Sequence, residues 1–329
     1  MRKSRLLSYD DIYLRPCLSN LSHRAKASTS VNFLGRSFNL PVVPANMEDV
    51  ISFDNAKWLS TNGYFYIMHR FKGVTEKFIE FALNQNLPYI SISVGASLEA
   101  QEEFDRLVTR FGTSNFHYIT IDVAHGHHQN VKDMVVFFKQ WFANSRNKPK
   151  IIAGNVATVE AYRFLCELGV DAVKVGIGGG SICTTKYETG FHLPTATSLM
   201  EICSKIDDNY FSYRFKDVPI IADGGIKHHG DIAKALVLGA KLVMCGNLFA
   251  SCIDSPAEII HGKKIYRGST SYASKGNDNH IEGRTIELEG EITYAKRMEK
   301  IQQALRSSIS YAGGDNLDAF RDVEWDICS

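Results

Sequence analysis

Among the side chains that could do chemistry, Cys183 is the first candidate, because it lies in a segment suited to close contact with a ligand. Four glycines lie within positions 176–180, just before it, and hydroxyl side chains flank it at Ser181, Thr184 and Thr185. Glycine lets the backbone adopt positive φ and bring amides and carbonyls close to a ligand or ion. A partly exposed thiolate in such surroundings is a nucleophile. The segment predicts a reactive cysteine, with a buried structural cysteine as the alternative.

Two shorter glycine segments predict an anion site. Gly224 and Gly225 follow Asp223 at the end of one apolar run. Gly246 and Asn247 follow the next apolar run. Backbone N–H groups at such turns bind phosphate, and the Asp223 carboxylate could accept hydrogen bonds from a sugar diol beside it. Ordinary turn glycines are the alternative for either segment alone, but the two together favour a phosphorylated ligand.

The histidines and cysteines form no pattern that is typical of a metal site or a disulfide framework. His125, His127 and His128 are close in sequence, but such histidines rarely converge on one ion without further ligands at fixed spacing. We interpret them as part of a turn or a ligand-contacting loop. The seven cysteines include no CxxC or CxxH pair, so we expect the six besides Cys183 to be reduced and to contribute only to packing or the surface.

Composition and charge are those of a globular protein with a sizeable core. The 329 residues are 44% hydrophobic and 22% charged, and the net charge is +1. A nearly neutral chain has no overall field to attract nucleic acid or an anionic membrane surface. Apolar runs are shorter than a membrane span, and the basic N-terminus leads into polar residues instead of a signal core. We therefore expect a cytoplasmic protein with no nucleic-acid or membrane partner.

An alternation of strands and helices must position these candidate residues. Eight β-rich apolar runs recur at 40–45, 64–68, 89–94, 117–123, 150–156, 172–176, 218–223 and 242–246. Segments with helical spacing lie between them, at 75–84, 98–111, 131–143, 159–168, 196–204 and 231–238. Parallel neighbours need crossover connections, so eight such units predict a (β/α)₈ TIM barrel of the α/β class. A doubly wound open sheet is the alternative, although no GxGxxG follows the first strand.

The predicted barrel is a single domain over residues 1–329. Residues 1–39 precede the first strand as an N-terminal arm. The segment 267–290 follows the eighth strand, is rich in Gly, Ser and Asn, and lacks periodicity. Because long structureless loops in compact domains tend to be functional, we expect it to form a mobile flap. Active groups in a barrel come from loops after the strands, which is where Cys183 and the glycine segments fall.

The chain resembles the IMP dehydrogenase/GMP reductase family, and within it the shorter bacterial branch, over nearly its whole length. The segments that carry the resemblance are 9–16, 40–47, 64–71, 153–156, 176–185, 221–225, 266–269, 282–283 and 307–314. The glycine-rich cysteine loop and the Asp-Gly-Gly segment are shared by the whole family. The segments 40–47 and 64–71 are similar to those of the reductases in particular.

Two departures from the dehydrogenase pattern imply a reductase. Only 72–74 separates the second strand segment from the next helix, where dehydrogenases usually insert a regulatory pair of CBS domains. The flap at 274–280 lacks the Arg-Tyr pair that activates hydrolytic water. The resemblance thus implies irreversible, NADPH-dependent reductive deamination of GMP to IMP and ammonia in purine salvage. The alternatives are an IMP dehydrogenase without the insert and a non-catalytic purine nucleotide sensor.

The resemblance also implies roles for individual residues. The Cys183 thiolate would attack the purine C2 and expel ammonia, which leaves a covalent thioimidate that hydride then reduces. Thr185 and Glu282 would transfer protons, with Thr184 as the competitor for the hydroxyl function.

The implied ligand contacts complete the site. GMP is expected to contact Asp223, Gly224, Gly225, Gly246, Asn247, Gly268, Ser269, Thr270 and Gly283. NADPH is expected to contact Asp122, Val123, Ala124, Arg70, Asp278 and Asn279, although His125 stands where the family has Asn. Carbonyls of Gly178, Gly180 and Cys183 are candidates to hold a potassium ion, with an ion-free turn as the alternative. The family's tetramers imply a homotetramer.

Overall fold

A computed structural model describes residues 5–207, 218–268 and 283–328. Its strands in chain order are β1 (Ile12–Leu14), β2 (Val31–Phe33), β3 (Arg36–Phe38), β4 (Val42–Pro44), β5 (Ser91–Val94), β6 (Tyr118–Asp122), β7 (Lys150–Val156), β8 (Ala172–Val175), β9 (Ile220–Asp223), β10 (Leu242–Cys245), β11 (Ile259–Ile260), β12 (Lys263–Arg267), β13 (Thr285–Glu289) and β14 (Trp325–Ile327). Its α-helices are α1 (Phe53–Thr61), α2 (Val74–Asn84), α3 (Leu98–Phe111), α4 (Gln129–Trp141), α5 (Val159–Glu167), α6 (Thr185–Glu188), α7 (Thr195–Asp207), α8 (His229–Val237), α9 (Asn247–Ala250) and α10 (Tyr294–Tyr311).

Seven of these strands form a parallel sheet that curls back onto its own first strand. The order of neighbours is β4-β10-β9-β8-β7-β6-β5. The last of these strands along the chain, β10, pairs with the first, β4, with Val243 opposite Val42. At the other edge Met68 bridges in parallel to Ile92 of β5. Because an open doubly wound sheet would keep its first and last strands apart, that alternative is wrong, and the fold is the predicted α/β barrel of TIM type.

The second predicted strand, 64–68, is the main departure from the expected barrel. Within this described segment only Met68 bridges to a neighbouring strand. Two tyrosine hydroxyls link residues 64–66 to the segment before β5: Tyr66 donates to the Tyr89 carbonyl, and Tyr89 donates to the Tyr64 carbonyl. Aromatic side chains therefore hold this edge in place of a regular ladder. The other seven predicted strands are confirmed, with their ends shifted by up to two residues.

The predicted arm and flap contain strands that the sequence analysis missed. Within the arm, 1–39, β2 and β3 form a hairpin, and β1 pairs antiparallel with β14 near the C-terminus. Within the flap, 267–290, β13 pairs with β12, so the expectation of a wholly structureless segment is wrong. Residues 269–282 of the flap lie outside the described residues. Strands of three to five residues are too short to give a periodic signal over the window that detects one.

The burial of the strands and helices is that expected of a barrel. Every residue of β5, β8 and β10 is buried, because parallel barrel strands are covered on both faces. Helix α3 shows how the outer layer is built: the Ser97 side chain caps its first turn by accepting from the Ala100 amide, and Phe104 and Leu107 are buried on one face. Of the helices described, none is both long enough and apolar enough to cross a membrane.

Candidate active site

A cleft with a cavity volume of about 260 Å³ opens at the carboxyl ends of the barrel strands. The predicted site residues that line it are Cys183, Thr185, Asp223, Gly224, Gly225, Gly246, Asn247, Gly268, Asp122, Val123, Ala124, Arg70, Gly178 and Gly180. Gly283 forms a backbone bridge with Cys183 beside the cleft. The predicted residues Ser269, Thr270, Asp278, Asn279 and Glu282 lie outside the described residues. Loops that are distant in sequence thus converge at one rim, where barrel enzymes place their active groups.

The candidate nucleophile lies on the loop between β8 and α6. Cys183 is partly exposed, and its Sγ lies 3.1 Å from the Thr185 hydroxyl oxygen. The Cys183 amide donates to the Gly180 carbonyl at 3.1 Å, which closes the turn that presents the thiol. The hydroxyl of Thr184 is buried and lacks a hydrogen-bond partner within the described ranges. The geometry therefore pairs the thiol with Thr185, whose proton-transfer role stays a prediction.

Glycines let the cysteine loop pack directly against the Asp-Gly-Gly segment. A Cβ at Gly176, where φ is +144°, would lie 1.9 Å from the Asp223 carbonyl oxygen. A Cβ at Gly224, where φ is +92°, would lie 3.0 Å from the Gly179 carbonyl carbon. Both positions combine a positive φ with a close backbone approach, so a side chain would be strained at each of them. The candidate nucleophile and the predicted nucleotide site are therefore adjacent.

The described ends of the flap are tied to the cysteine loop. The Arg284 amide donates to the Ile182 carbonyl at 2.9 Å, and the Arg284 guanidinium donates to the Ser181 carbonyl at 2.8 Å. The Gly268 amide donates in turn to the Arg284 carbonyl at 3.1 Å. Since Gly268 and Gly283 bracket residues 269–282, the segment expected to cover the cleft starts and finishes beside the candidate nucleophile.

The side of the cleft that is predicted to bind the nucleotide contains one carboxylate, that of Asp223, and closely packed backbone. Asp223 Oδ2 accepts a hydrogen bond from Asn155 Nδ2 at 2.8 Å. A Cβ at Gly246 would lie 2.1 Å from the Tyr266 hydroxyl oxygen, so this close approach requires glycine. The side-chain oxygen of Asn247 is buried and has no partner among the residues described. An unpartnered polar atom at the rim suits a ligand contact, and the predicted GMP-binding roles of these residues stay predictions.

A buried cation lies at the base of the cleft. Lys174, in the middle of β8, is 2% exposed, and its Nζ lies 2.6 Å from Asp122 Oδ1 and 3.3 Å from Asp223 Oδ2. Burial acts to raise the pKa of Asp122, but the charge of Lys174 and its hydrogen bond hold this pKa below its usual range. Burial acts to lower the pKa of Lys174, but Asp122 and Asp223 raise it above its ordinary value. Asp122 and Lys174 therefore form a charged pair at neutral pH.

The predicted cofactor side follows β6. The Arg70 guanidinium donates to the Asp122 carbonyl at 3.3 Å, and its Nε is buried without a partner in the described part of the chain. Val123 and Ala124 continue this wall of the cleft. His125, the next residue, has its pKa lowered by burial and by the two nearby histidines. The structure thus gives this side a donor still available to a polar ligand.

Three polar residues of the cleft were missed by the sequence analysis. Lys174 and Asn155 lie at the base, and Asn46 joins them after β4, with its Oδ1 3.4 Å from Lys174 Nζ. A signal for Lys174 was available, since a lone charge inside the apolar run 172–176 must find a partner if the strand is buried. Asn46 follows an apolar run, and Asn155 lies near the carboxyl end of one, as Asp223 does, so both positions could also have been detected.

Comparison with known proteins supports the same assignment. A model of the IMP dehydrogenase / GMP reductase domain matches residues 6–325. The chain is 41% identical over 325 residues to a GMP reductase of Shouchella clausii, which covers 97% of this chain and 94% of the relative. It is 42% identical over 328 residues to a GMP reductase of Bacillus licheniformis, with 98% and 96% covered. A GMP reductase of Oenococcus oeni is 42% identical over 329 residues, with 98% and 97% covered. The chain belongs to the IMP dehydrogenase/GMP reductase family.

Proposed function

We propose that this chain is a GMP reductase, which converts GMP to IMP with release of ammonia at the expense of NADPH. The observation that carries the proposal is Cys183, presented by a glycine loop beside Thr185 in the cleft that Asp223 also lines. The near full-length identity to GMP reductases of several bacteria supports the same reaction. The activity would serve purine salvage and interconversion.

The chemistry assigned to Cys183 is nucleophilic addition. Its thiolate adds to the purine C2 of GMP, and the C2–N bond breaks to release the amino group, which leaves a thioimidate on the enzyme. Hydride then adds to C2, and the C2–S bond breaks to return the thiolate and release IMP. Sulfur suits this role because a thiolate is both a strong nucleophile and a competent leaving group.

Ammonia is a poor leaving group unless a proton reaches its nitrogen. The Thr185 hydroxyl lies 3.1 Å from the Cys183 sulfur, so it would lie near the carbon that bonds to this sulfur and would pass a proton to the leaving group. We assign Glu282 as the carboxyl partner of Thr185, on the strength of the family resemblance.

The cofactor side of the cleft suits a nicotinamide dinucleotide. NADPH, when bound, supplies the hydride. Asp122, Val123 and Ala124 would line one face of the nicotinamide pocket, and the unpartnered Nε of Arg70 would donate to a polar group of the cofactor. Asp278 and Asn279 of the flap complete the proposed contacts.

Three further proposals concern the setting of the reaction. A potassium ion would be held by the carbonyls of Gly178, Gly180 and Cys183; the Gly180 carbonyl accepts one hydrogen bond and retains a second lone pair. The working unit would be a homotetramer, and its location the cytoplasm.

The proposed function is tested by following NADPH absorbance at 340 nm with GMP present. Purified wild-type protein should consume NADPH only when GMP is added, and should form IMP and ammonia in equal amounts. Cys183→Ala should lose this activity by a factor on the order of 10⁴ or more. XMP formation from IMP and NAD⁺ would instead support an IMP dehydrogenase, and GMP binding without turnover would support a nucleotide sensor.

A further inference from the structure

Lys174 joins the two halves of the cleft. Its Nζ contacts Asp122, on the proposed cofactor side, and Asp223, on the proposed nucleotide side. The two carboxylate oxygens that it contacts can be no more than about 6 Å apart, since they lie 2.6 and 3.3 Å from the same nitrogen. The cation is therefore placed between the two ligand-binding regions.

The lysine is held in one place and all its protons have acceptors. Besides the two carboxylates, Asn46 Oδ1 accepts from Nζ at 3.4 Å, and an ammonium group has three donors. The backbone of β7 lies against the side chain so closely that a Cβ at Gly154 would be 2.5 Å from the Lys174 Cβ. A cation that is fully hydrogen-bonded and fixed by packing suits a structural contact to both carboxylates better than direct proton transfer.

Among the described charged groups around Asp122 and Asp223, Lys174 is the cation that contacts both carboxylates. Arg70 adds a positive charge near Asp122 and contributes to its low pKa. On the other side, burial raises the pKa of the titratable groups that face Asp223, so that they stay neutral near pH 7, namely Tyr9, Cys245 and Tyr266. Without Lys174, the two carboxylates would face each other across a partly dry cleft, which favours protonation of one of them.

We propose that Lys174 is a positioning residue, which keeps Asp122 ionised and holds Asp122 and Asp223 at a fixed separation so that the cofactor and nucleotide sides of the cleft form together. The inference rests on the proposed function for the roles of the two carboxylates. It is independent of that function in what it says about the ionisation of Asp122 and the spacing of the two carboxylates.

The kinetic test compares Lys174→Met with the charge-conserving Lys174→Arg. In Lys174→Met, kcat/KM should fall roughly 100-fold for both GMP and NADPH, because misplaced binding groups cost about that much. The acidic limb of its pH profile should move upward by more than about one pH unit, because one carboxylate now titrates closer to neutrality. Lys174→Arg should restore the limb to the wild-type position and recover part of the rate.

Lys264 provides a matched control, because it is a second buried lysine with different partners. Its Nζ donates to the backbone carbonyls of Ser255 and Ala257 at 2.9 and 3.1 Å. Lys264→Met should lower stability without moving the acidic limb. A Lys174→Met profile that keeps the wild-type limb, or that changes only as Lys264→Met does, would overturn the proposal.

Urea unfolding tests the proposal for Lys174 without a measurement of enzymatic activity. In the wild type Lys174 holds the pKa of Asp122 below its usual range, so the contribution of this ion pair to the free energy of unfolding is constant from pH 8 to pH 5. In Lys174→Met, protonation relieves the repulsion between the carboxylates. The difference in free energy of unfolding between wild type and variant, measured with urea, should therefore shrink from pH 8 to pH 5. If that variant does not fold, Lys174→Gln serves instead. A pH-independent deficit contradicts the proposal, even if the wild type proves inactive with GMP and the proposed function fails.

Discussion

Cys183 and Cys245 lie at the same rim of one barrel, yet their surroundings are opposite. Cys245 is the last residue of β10 and 1% exposed, and burial raises its pKa far above the ordinary value. Cys183 lies beyond the end of β8, on a glycine-rich turn, partly exposed and in contact with Thr185. The contrast shows that the cysteine at the end of a strand is packed into the core, while the cysteine on a loop that follows a strand is presented to the cleft.

The same contrast extends to other cysteines of the described chain. Burial raises the pKa of Cys166 and of Cys252 to about 12, so both are protonated near neutral pH. Cys17 is exposed but lies on the N-terminal arm, away from the cleft. Cys183 is both partly exposed and located at the cleft, which is why the nucleophilic role is assigned to it.

The largest expected effect is a difference in alkylation rate. Iodoacetamide should label Cys183 faster than Cys245 by roughly a thousandfold, because burial both excludes the reagent from Cys245 and raises the pKa of its thiol. Peptide mapping over a time course measures both rates in one sample. GMP should protect Cys183 but not the exposed Cys17, which serves as the internal control. Equal rates at Cys183 and Cys245 would remove the basis of the contrast.

Thr185 and its neighbour Thr184 test whether contact with the Cys183 thiol, and not closeness to it in the sequence, determines the proton-transfer role. Thr185→Val removes the hydroxyl that contacts Cys183 and should lower kcat by about 10² to 10⁴, the usual range for a lost proton-transfer group. Thr184→Val replaces a buried hydroxyl with no partner among the described residues and should change kcat by less than about threefold. Steady-state rates at saturating GMP and NADPH measure both. A larger loss in Thr184→Val would transfer the role to that residue.

A third test concerns the glycine beside Cys245. Gly246→Ala would place a methyl group 2.1 Å from the Tyr266 hydroxyl oxygen, so the tyrosine or the loop must move. We expect KM for GMP to rise about tenfold, equivalent to about 1.4 kcal/mol of binding free energy. The double variant Gly246→Ala/Tyr266→Phe removes the colliding oxygen and should recover much of the loss. No recovery would mean that the turn itself, and not the tyrosine, had been displaced.

A test of stability concerns His69, which burial keeps neutral as it does Cys245. Burial lowers the pKa of His69 to about 4, so the unfolded chain binds its proton first as the pH falls. Stability should therefore decline from pH 6.5 towards pH 4, by up to about 3 kcal/mol from this group. Urea unfolding across that range should show a weaker decline in His69→Gln. Identical slopes would mean that His69 titrates normally in the folded protein.

Local sequence signals predicted the fold where a segment's own residues decide its structure. The alternation of apolar runs with helical spacing predicted seven strands of the sheet, since each buried strand needs apolar side chains on both faces. It failed at 64–68, where the hydroxyls of Tyr66 and Tyr89 replace a ladder. It also failed for β1 and β14, because their pairing joins opposite ends of the chain.

The sequence likewise predicted some residues of the candidate site and missed others. Glycines marked the turns that bring Cys183 and Asp223 together, because close backbone approach demands them at positions such as Gly176. Lys174 was missed because a lysine in a short apolar run is usually a surface position, and only the closed barrel shows that three acceptors surround it. The lone charge in that run signals that a partner is needed, but the identity of the partners depends on closure of the barrel.

The most direct measurement of the nucleophilic role of Cys183 is the mass of the covalent adduct. Enzyme incubated with IMP and NADP⁺ should transfer the C2 hydride to the cofactor and retain the purine on sulfur. Peptide mass spectrometry should then find the mass of IMP less two hydrogens on the peptide that carries Cys183, together with stoichiometric NADPH, and neither in Cys183→Ala. An adduct on another cysteine, or NADPH formed by Cys183→Ala at the wild-type rate, would contradict the assignment.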